Sequence, residues 1–399
     1  MQRRTGRRRG ARAALAAVVA LAGWATACAP GTPRGPEAPG PSASAGSPAA
    51  QSSGTRFPAG VERQLKEAVD DARRAHDVPG IRVDVNVPGH GAWEYAVGAA
   101  DLRTGRPITA EDKVRIASVT KTFTATAVLQ LVRAGKLRLD DPLSRYVSWP
   151  NGDAITIRQL LNMTAGIYSY TEDPAWLKRY TEHPDAPFRT RDALDIARRH
   201  APYFAPGKGF HYSDTHYVLL GDIVEKAGGK PLATWVREEI AKPLGLAATG
   251  LPTDSAVPEP AARGYRAGPG GAMTDATRSD PAYAAGAGAM LSNIADLRFW
   301  ARELATGTGL LTPGLQRERL RLVPVAAEPE QVGYGLGIAS FDGWLGHNGT
   351  IIGYNTAMFH DPRSHSTVVV EMNRSFATLD EDHATELFLR IARIVTPKT

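Results

Sequence analysis

Three short clusters of polar residues in this 399-residue chain could together carry out acyl transfer. Ser118-Val119-Thr120-Lys121 sets a hydroxyl and an amine at i and i+3. On a helix these positions share a face, so the amine can reach the hydroxyl. A serine is a poor nucleophile until a neighbouring base takes its proton, and a helix N-terminus favours the negative charge that then develops. The second cluster is Tyr212-Ser213-Asp214 and the third is His347-Asn348-Gly349-Thr350. Taken singly, each has an ordinary reading: a surface Ser and Lys, a half-buried tyrosine, and a turn or core histidine.

The elements that must hold these clusters can be read from periodicity. Phe123, Ala127 and Leu131 share one face of a helix that starts near Ser118 and ends near Gly135. Tyr212 falls in a polar loop between Pro206-Gly207 and a helix over Tyr217–Ala227, and His347 at the end of a strand over Gly343–Gly346. Val61, Leu65, Ala68, Val69 and Ala72 recur at helical spacing, and Pro79-Gly80 stops that helix. Ile81, Val83, Val85 and Val87 alternate with polar residues as in a half-buried strand, and Trp93–Ala99 gives a second. Thr156–Met163 and Arg191–His200 read as further helices. Strands over Gln331–Ile338, Gly353–His360 and Ser366–Met372 and a helix over Ala377–Ile394 close the chain. The expected fold class is α/β (α+β): an antiparallel sheet built from both chain ends and flanked by helices, with an inserted, mainly helical lobe.

In order, the three clusters resemble the S-x-x-K, Y-x-N and K/H-x-G motifs of the serine β-lactamase and penicillin-binding-protein superfamily. The resemblance is to the branch with D-alanyl-D-alanine carboxypeptidases, class C β-lactamases and related esterases. Leu160-Leu161-Asn162-Met163-Thr164-Ala165-Gly166-Ile167 resembles its L-L-x-H-x-S-G-L segment, and Gly333-Tyr334-Gly335-Leu336-Gly337 its G-Y-G-L-G strand. The resemblance spans residues 57–399. It implies that Ser118 forms an acyl-enzyme while Lys121 and Tyr212 share the proton traffic, the phenol's pKa lowered by the lysine charge. It implies an oxyanion hole from the backbone N–H groups of Ser118 and Thr350. His347 would donate to the substrate, and Asp214, Asn348 and Gly349 would line the same site. Ser213-Asp214 also begins like the S-D-N motif of class A β-lactamases. Those enzymes prime deacylation with a Glu in a segment absent here, so Tyr212 is the favoured catalytic member.

Several positions depart from the pattern. Asp214 stands where an Asn is usual; a carboxylate only accepts hydrogen bonds and favours a protonated Lys121. That change points to substrates carrying a donor or a cation. Ala339 offers no basic residue for a substrate carboxylate, Met163 and Ala165 replace the usual His and Ser, and Tyr283 stands where relatives can have Trp.

Composition limits the partners. The formal charge is +6, but Arg3, Arg4, Arg7, Arg8, Arg9 and Arg12 account for it. Without those six, the 47 basic residues fall level with the 41 acidic ones. No nucleic-acid partner is expected. His211/His216 and His360/His365 lack the third ligand a zinc site needs, and no metal or organic cofactor is expected. The Arg cluster and the short apolar run Ala13–Gly23 read as a signal peptide over residues 1–28. Cys28, the only cysteine, follows Ala25-Thr26-Ala27 and could be a lipidation site. Residues 29–56, rich in Pro, Gly and Ser, read as a disordered tether. The expected protein is an extracytoplasmic monomer, secreted or held at the outer face of the cell membrane by that lipid. It would act on a small-molecule or peptide substrate of cell-wall origin. D-alanyl-D-alanine carboxypeptidase leads, with β-lactamase and esterase or D-aminopeptidase as alternatives. A non-catalytic envelope ligand sensor is the rival from another class.

Overall fold

The computed structural model describes residues 56–268, 272–325, 332–375 and 381–396. Cys28, the signal segment and the tether up to residue 55 lie outside the described residues.

Helix α1 (Ala59–Ala75) leads into β1 (Gly80–Val87), β2 (Gly91–Asp101) and the short β3 (Arg106–Pro107). A helical stretch follows, with α2 (Thr120–Arg133), α3 (Ile157–Leu161), α4 (Pro174–Glu182), α5 (Thr190–Arg199), α6 (Asp214–Gly228) and α7 (Ile294–Thr306). The chain then returns to strands: β4 (Val323–Pro324), β5 (Val332–Tyr334), β6 (Ala339–Phe341), β7 (Trp344–Ile351), β8 (Tyr354–Asp361) and β9 (Ser366–Met372). Helix α8 (His383–Val395) closes it.

These nine strands form one sheet in the order β3-β2-β1-β9-β8-β7-β6-β5-β4. All eight neighbouring pairs are antiparallel. The β1–β9 seam, with Ile81 opposite Met372 and Val85 opposite Val368, joins the two ends of the chain. The sheet from both termini and the inserted helical lobe are therefore present as expected.

Layering explains the patterns in the sequence. Ile81, Val83, Val85 and Val87 share a buried cluster with Leu65 and Val69 of α1 and Leu387, Phe388 and Ile391 of α8. The opposite face of the sheet packs on the helical lobe, whose core includes Phe123, Leu129, Leu220, Trp300 and Met358. The expected half-exposure of β1 is thus wrong. Arg82 and Asp84 are each 1% exposed. They are paired instead: Arg82 with Glu371 of β9 at 2.5 Å, and Asp84 with Arg298 of α7 at 2.8 Å. An alternating pattern records that one face is apolar. It does not record that a helix packed over the other face can bury paired charges.

Boundaries moved where caps and strand pairing decide them. Helix α3 is held to Ile157–Leu161 by a capping box of Thr156 and Gln159. The strand expected over Gly343–Gly346 runs on to Ile351, because β8 pairs with it as far as Ile351 opposite Tyr354. The helix α4 was not foreseen; Asp173 caps it and Pro174 opens it. Residues 377–380 of the expected last helix are outside the described residues.

Candidate active site

Ser118 lies in a single 3₁₀ turn, Ala117–Val119, that feeds directly into α2. Ala117, just before it, has φ +49°, a left-handed conformation for a residue with a Cβ. Such backbone costs about 1–3 kcal/mol and persists where the surroundings enforce it. Lys121 is in the first turn of α2 and fully buried. Its Nζ donates to Ser118 Oγ at 3.0 Å, Asp214 Oδ1 at 2.6 Å and the Ala287 carbonyl at 2.8 Å. An ammonium has three protons to donate, and here each has an acceptor.

Asp214 opens α6, where a carboxylate also suits the helix dipole. Thr171 Oγ1 donates to its Oδ2 at 3.1 Å, and its own N–H donates to Ser169 Oγ at 3.2 Å. The segment 169–171 thus fixes the carboxylate against Lys121. Burial is the largest influence and pushes the lysine ammonium down, but Asp214 and Tyr212 together outweigh it and Lys121 is held above its ordinary range.

Tyr212 is half-buried, with Lys121 Nζ 4.8 Å from its ring centroid. Its hydroxyl interacts with both Lys121 and Ser118. Proximity of the lysine charge by itself predicts a lowered phenol. Burial wins instead and, with the nearby Asp214, lifts Tyr212 above the usual range against the pull of Lys121.

Strand β7 brings the third cluster alongside. Strand β6 pairs with β7 only up to Gly346, and beyond that point the edge of β7 faces the Ser118 turn. A Cβ on Gly349 would lie 2.5 Å from the Ser118 backbone nitrogen. Glycine is what lets the strand approach that closely. Gly337 does the same for the strand-end turn at 335–337, since a Cβ there would meet Ala125 Cβ of α2 at 2.2 Å.

Strand alternation then sorts the remaining candidates. His347 is 2% exposed and does not line the pocket beside Ser118. Its Nδ1 contacts the Asn348 carbonyl at 2.6 Å and its Nε2 the Tyr334 hydroxyl at 3.0 Å. A carbonyl can only accept, so Nδ1 carries the proton and Nε2 accepts from Tyr334. Burial, reinforced by Lys121, pushes His347 down to about 3, so the ring is neutral. The expected donor to substrate is therefore already used inside the protein. Asn348 points to the other face of the sheet, where its amide donates to Asp382 at the start of α8. Thr350 Oγ1 shares that face, accepting from Asn355 Nδ2 at 2.8 Å. Thr350 nevertheless lines the pocket with Ser118 and Asp214.

The rest of the pocket wall combines four aromatic rings, Tyr170, Trp176, Tyr180 and Tyr283, with Thr171, Ile351 and the small residues Ala117, Ala284, Ala287 and Gly288. Apart from Tyr283, sequence reasoning had not singled out these side chains. The aromatic ones come from the loop at 168–172 and from α4, and an unusual run of rings and hydroxyls, Tyr168-Ser169-Tyr170-Thr171, marks the loop in the sequence. No Lys, Arg or His is among the described residues lining this pocket.

Comparison with known proteins agrees with this geometry. Residues 62–391 match the beta-lactamase family. Esterase EstB of Burkholderia gladioli is 34% identical over 222 residues, covering 53% of this chain and 56% of that protein. A D-aminopeptidase of Brucella anthropi is 30% identical over 45% of this chain and 34% of its own length. The matches thus span about a third to a little over half of these relatives. Among solved structures, a D-stereospecific amidohydrolase from Streptomyces sp. superposes with a TM-score of 0.73 at 32% identity, covering 86% of this chain and 99% of the other. The chain belongs to the beta-lactamase family, within the serine β-lactamase and penicillin-binding-protein superfamily.

Proposed function

We propose that this chain is a serine amidohydrolase and esterase for small acyl donors, aminoacyl amides and esters above all, whose apolar or aromatic group enters the pocket beside Ser118. One observation carries the reading: that pocket is walled by aromatic rings, holds the Asp214 carboxylate and has no cation in its lining. An acceptor beside the nucleophile suits a substrate ammonium. A free carboxylate, which a carboxypeptidase must hold, finds no Lys, Arg or His in that lining. Similarity to a D-stereospecific amidohydrolase and to a D-aminopeptidase supports D-aminoacyl substrates for this chain.

In the first step Ser118 Oγ attacks the carbonyl carbon, and its proton passes to the Tyr212 oxygen as the Tyr212 proton passes to the leaving nitrogen or oxygen. The Lys121 ammonium stabilises negative charge on both oxygens throughout. The N–H groups of Ser118 and Thr350 serve as the oxyanion hole. Water then repeats the transfer in reverse, releasing the acid and restoring the Ser118 hydroxyl.

The test is hydrolysis of D-phenylalanine amide and its methyl ester by the purified chain, with Ser118→Ala alongside. Turnover that disappears in the variant, with an acyl adduct on the Ser118 peptide by mass spectrometry, is the expected result. Release of D-alanine from a D-Ala-D-Ala peptide at a higher kcat/KM would replace this reading with a carboxypeptidase, and fast opening of penicillin with a β-lactamase. Failure of every acyl donor would leave a ligand sensor.

The residues before the domain carry a separate part of the proposal: export, a lipid on Cys28 and a monomeric protein at the outer face of the membrane. Mass spectrometry of the N-terminal peptide against Cys28→Ala, and light scattering of the purified chain, check these points. An unmodified N-terminus or a larger assembly would overturn them.

A further inference from the structure

The aromatic wall of the Ser118 pocket contains one hydroxyl whose proton has no acceptor. Two donors end on the phenol oxygen of Tyr180, in α4: the Ile352 backbone N–H at 3.0 Å and the Tyr283 hydroxyl at 2.6 Å. Both donors come from anchored backbone. Ile352 is in the tight turn between β7 and β8, and the Tyr283 carbonyl accepts from the Tyr170 hydroxyl at 2.7 Å. A phenol oxygen accepts at two positions at most and donates once. With both accepting positions filled, the Tyr180 proton must point away from Ile352 and Tyr283, and no described residue accepts it. Tyr180 is itself part of the pocket lining, together with Ser118, Trp176, Tyr283 and Ile351. Burial lifts this phenol to about 12, so it remains a donor at neutral pH.

We propose that Tyr180 is a specificity-determining residue whose hydroxyl donates to an acceptor oxygen on the group that fills this aromatic pocket. The preferred occupant is an aromatic ring bearing a distal oxygen, as in a tyrosine-like acyl donor, over one that ends in hydrocarbon. The physical basis is asymmetric. A ligand without the oxygen leaves a buried donor unpaired, and sites built to bond a hydroxyl discriminate against such analogues more strongly than apolar pockets do. This rests on the proposed function only for the identity of the pocket as the substrate site.

Binding can be measured without turnover. Calorimetry on the full chain carrying Ser118→Ala is expected to show D-tyrosine amide binding about five- to tenfold tighter than D-phenylalanine amide. Adding Tyr180→Phe is expected to bring the two within about twofold. Adding Tyr283→Phe instead leaves the Tyr180 hydroxyl anchored by Ile352, so the preference persists. The proposal is overturned if neither amide binds, if the preference is the same with and without Tyr180→Phe, or if Tyr283→Phe abolishes it equally. Hydrolysis of the same amides by the unmodified chain tests the reaction separately. Preference without Ser118-dependent turnover sinks the hydrolase reading and keeps the Tyr180 assignment; turnover without preference does the reverse.

Discussion

Lys121 Nζ sits 2.6 Å from Asp214 Oδ1, with the amine fully buried and the carboxylate 22% exposed. The pair joins the first turn of α2 to the first turn of α6, and it decides the charge state of the lysine that touches Ser118. Burial would favour the neutral amine, and Asp214, helped by Tyr212, reverses that preference. Asp214→Asn is therefore expected to lower the Lys121 pKa and to move the alkaline limb of the kcat/KM profile to lower pH. It is also expected to weaken the preference for substrates with an ammonium over isosteres without one. A pH–rate profile with both substrate types checks this, and an unchanged limb with an unchanged preference would remove Asp214 from the explanation.

The close approach of β7 to Ser118 makes a second prediction. Gly349→Ala would place a Cβ 2.5 Å from the Ser118 nitrogen and 2.8 Å from Ala117 Cβ. Neither atom belongs to a flexible side chain, so the strand and the turn must separate. Misplacement of about 1 Å at a reacting group can cost about 100-fold. A loss of that size in kcat/KM is expected, alongside a modest fall in Tm. Activity within about twofold of the parent, far below that 100-fold scale, would mean that the two elements are not held as described.

His216 supplies a stability test. It lies on α6 two residues past Asp214, is fully buried, and neither ring nitrogen has a hydrogen-bond partner among the described residues. Burial pushes it down to about 3, with His211 and Lys121 adding to the shift. The unfolded chain takes up this proton as pH falls below about 6.5, and the native chain does not until about 3. Stability contributed by the neutral ring is therefore complete above about pH 6.5 and declines by about 1.4 kcal/mol per unit below it. His216→Leu should lessen the loss of stability between pH 7 and 5 by about 2 kcal/mol. Urea unfolding at the two pH values decides the matter; an acid limb as steep as the parent's would count against a neutral, unpartnered ring.

The sheet's buried charges respond in the opposite sense. Asp84 is held by Arg298 at 2.8 Å, yet burial raises its carboxyl to about 7. A raised carboxyl binds its proton more tightly when folded, so its share of stability is present at low pH and lost as pH rises from about 4 through about 7. Arg298→Met removes the compensating charge. Without Arg298 the Asp84 carboxyl rises further and takes up a proton, so the expected cost is larger at pH 8, where the parent's Asp84 is ionised against Arg298, than at pH 5, where it is protonated with or without the arginine. Equal destabilisation at both values would show that Arg298 acts through packing alone.

Much of the candidate site is local in the sequence and was legible there. Ser118 and Lys121 meet because a helix turn puts i and i+3 together, and the apolar face that follows them defines the helix. Tyr212 and Asp214 are brought in by the start of α6, and the sheet from both chain ends was visible in the alternation of Ile81–Val87 and in the β-branched run within Ser366–Met372. The length of β7 was not legible, because pairing with β8 rather than composition extends it past Gly346. That extension sets the phase of the strand, and the phase turns Asn348 toward Asp382 while His347 faces Tyr334. The charge states were also beyond the sequence. Lys121 beside Tyr212 predicts a lowered phenol by proximity alone, whereas burial, which exists only in the folded chain, raises it. The pocket itself, built by Tyr170, Trp176, Tyr180 and Tyr283 from separate segments, has no sequence period, since only tertiary packing makes those rings neighbours.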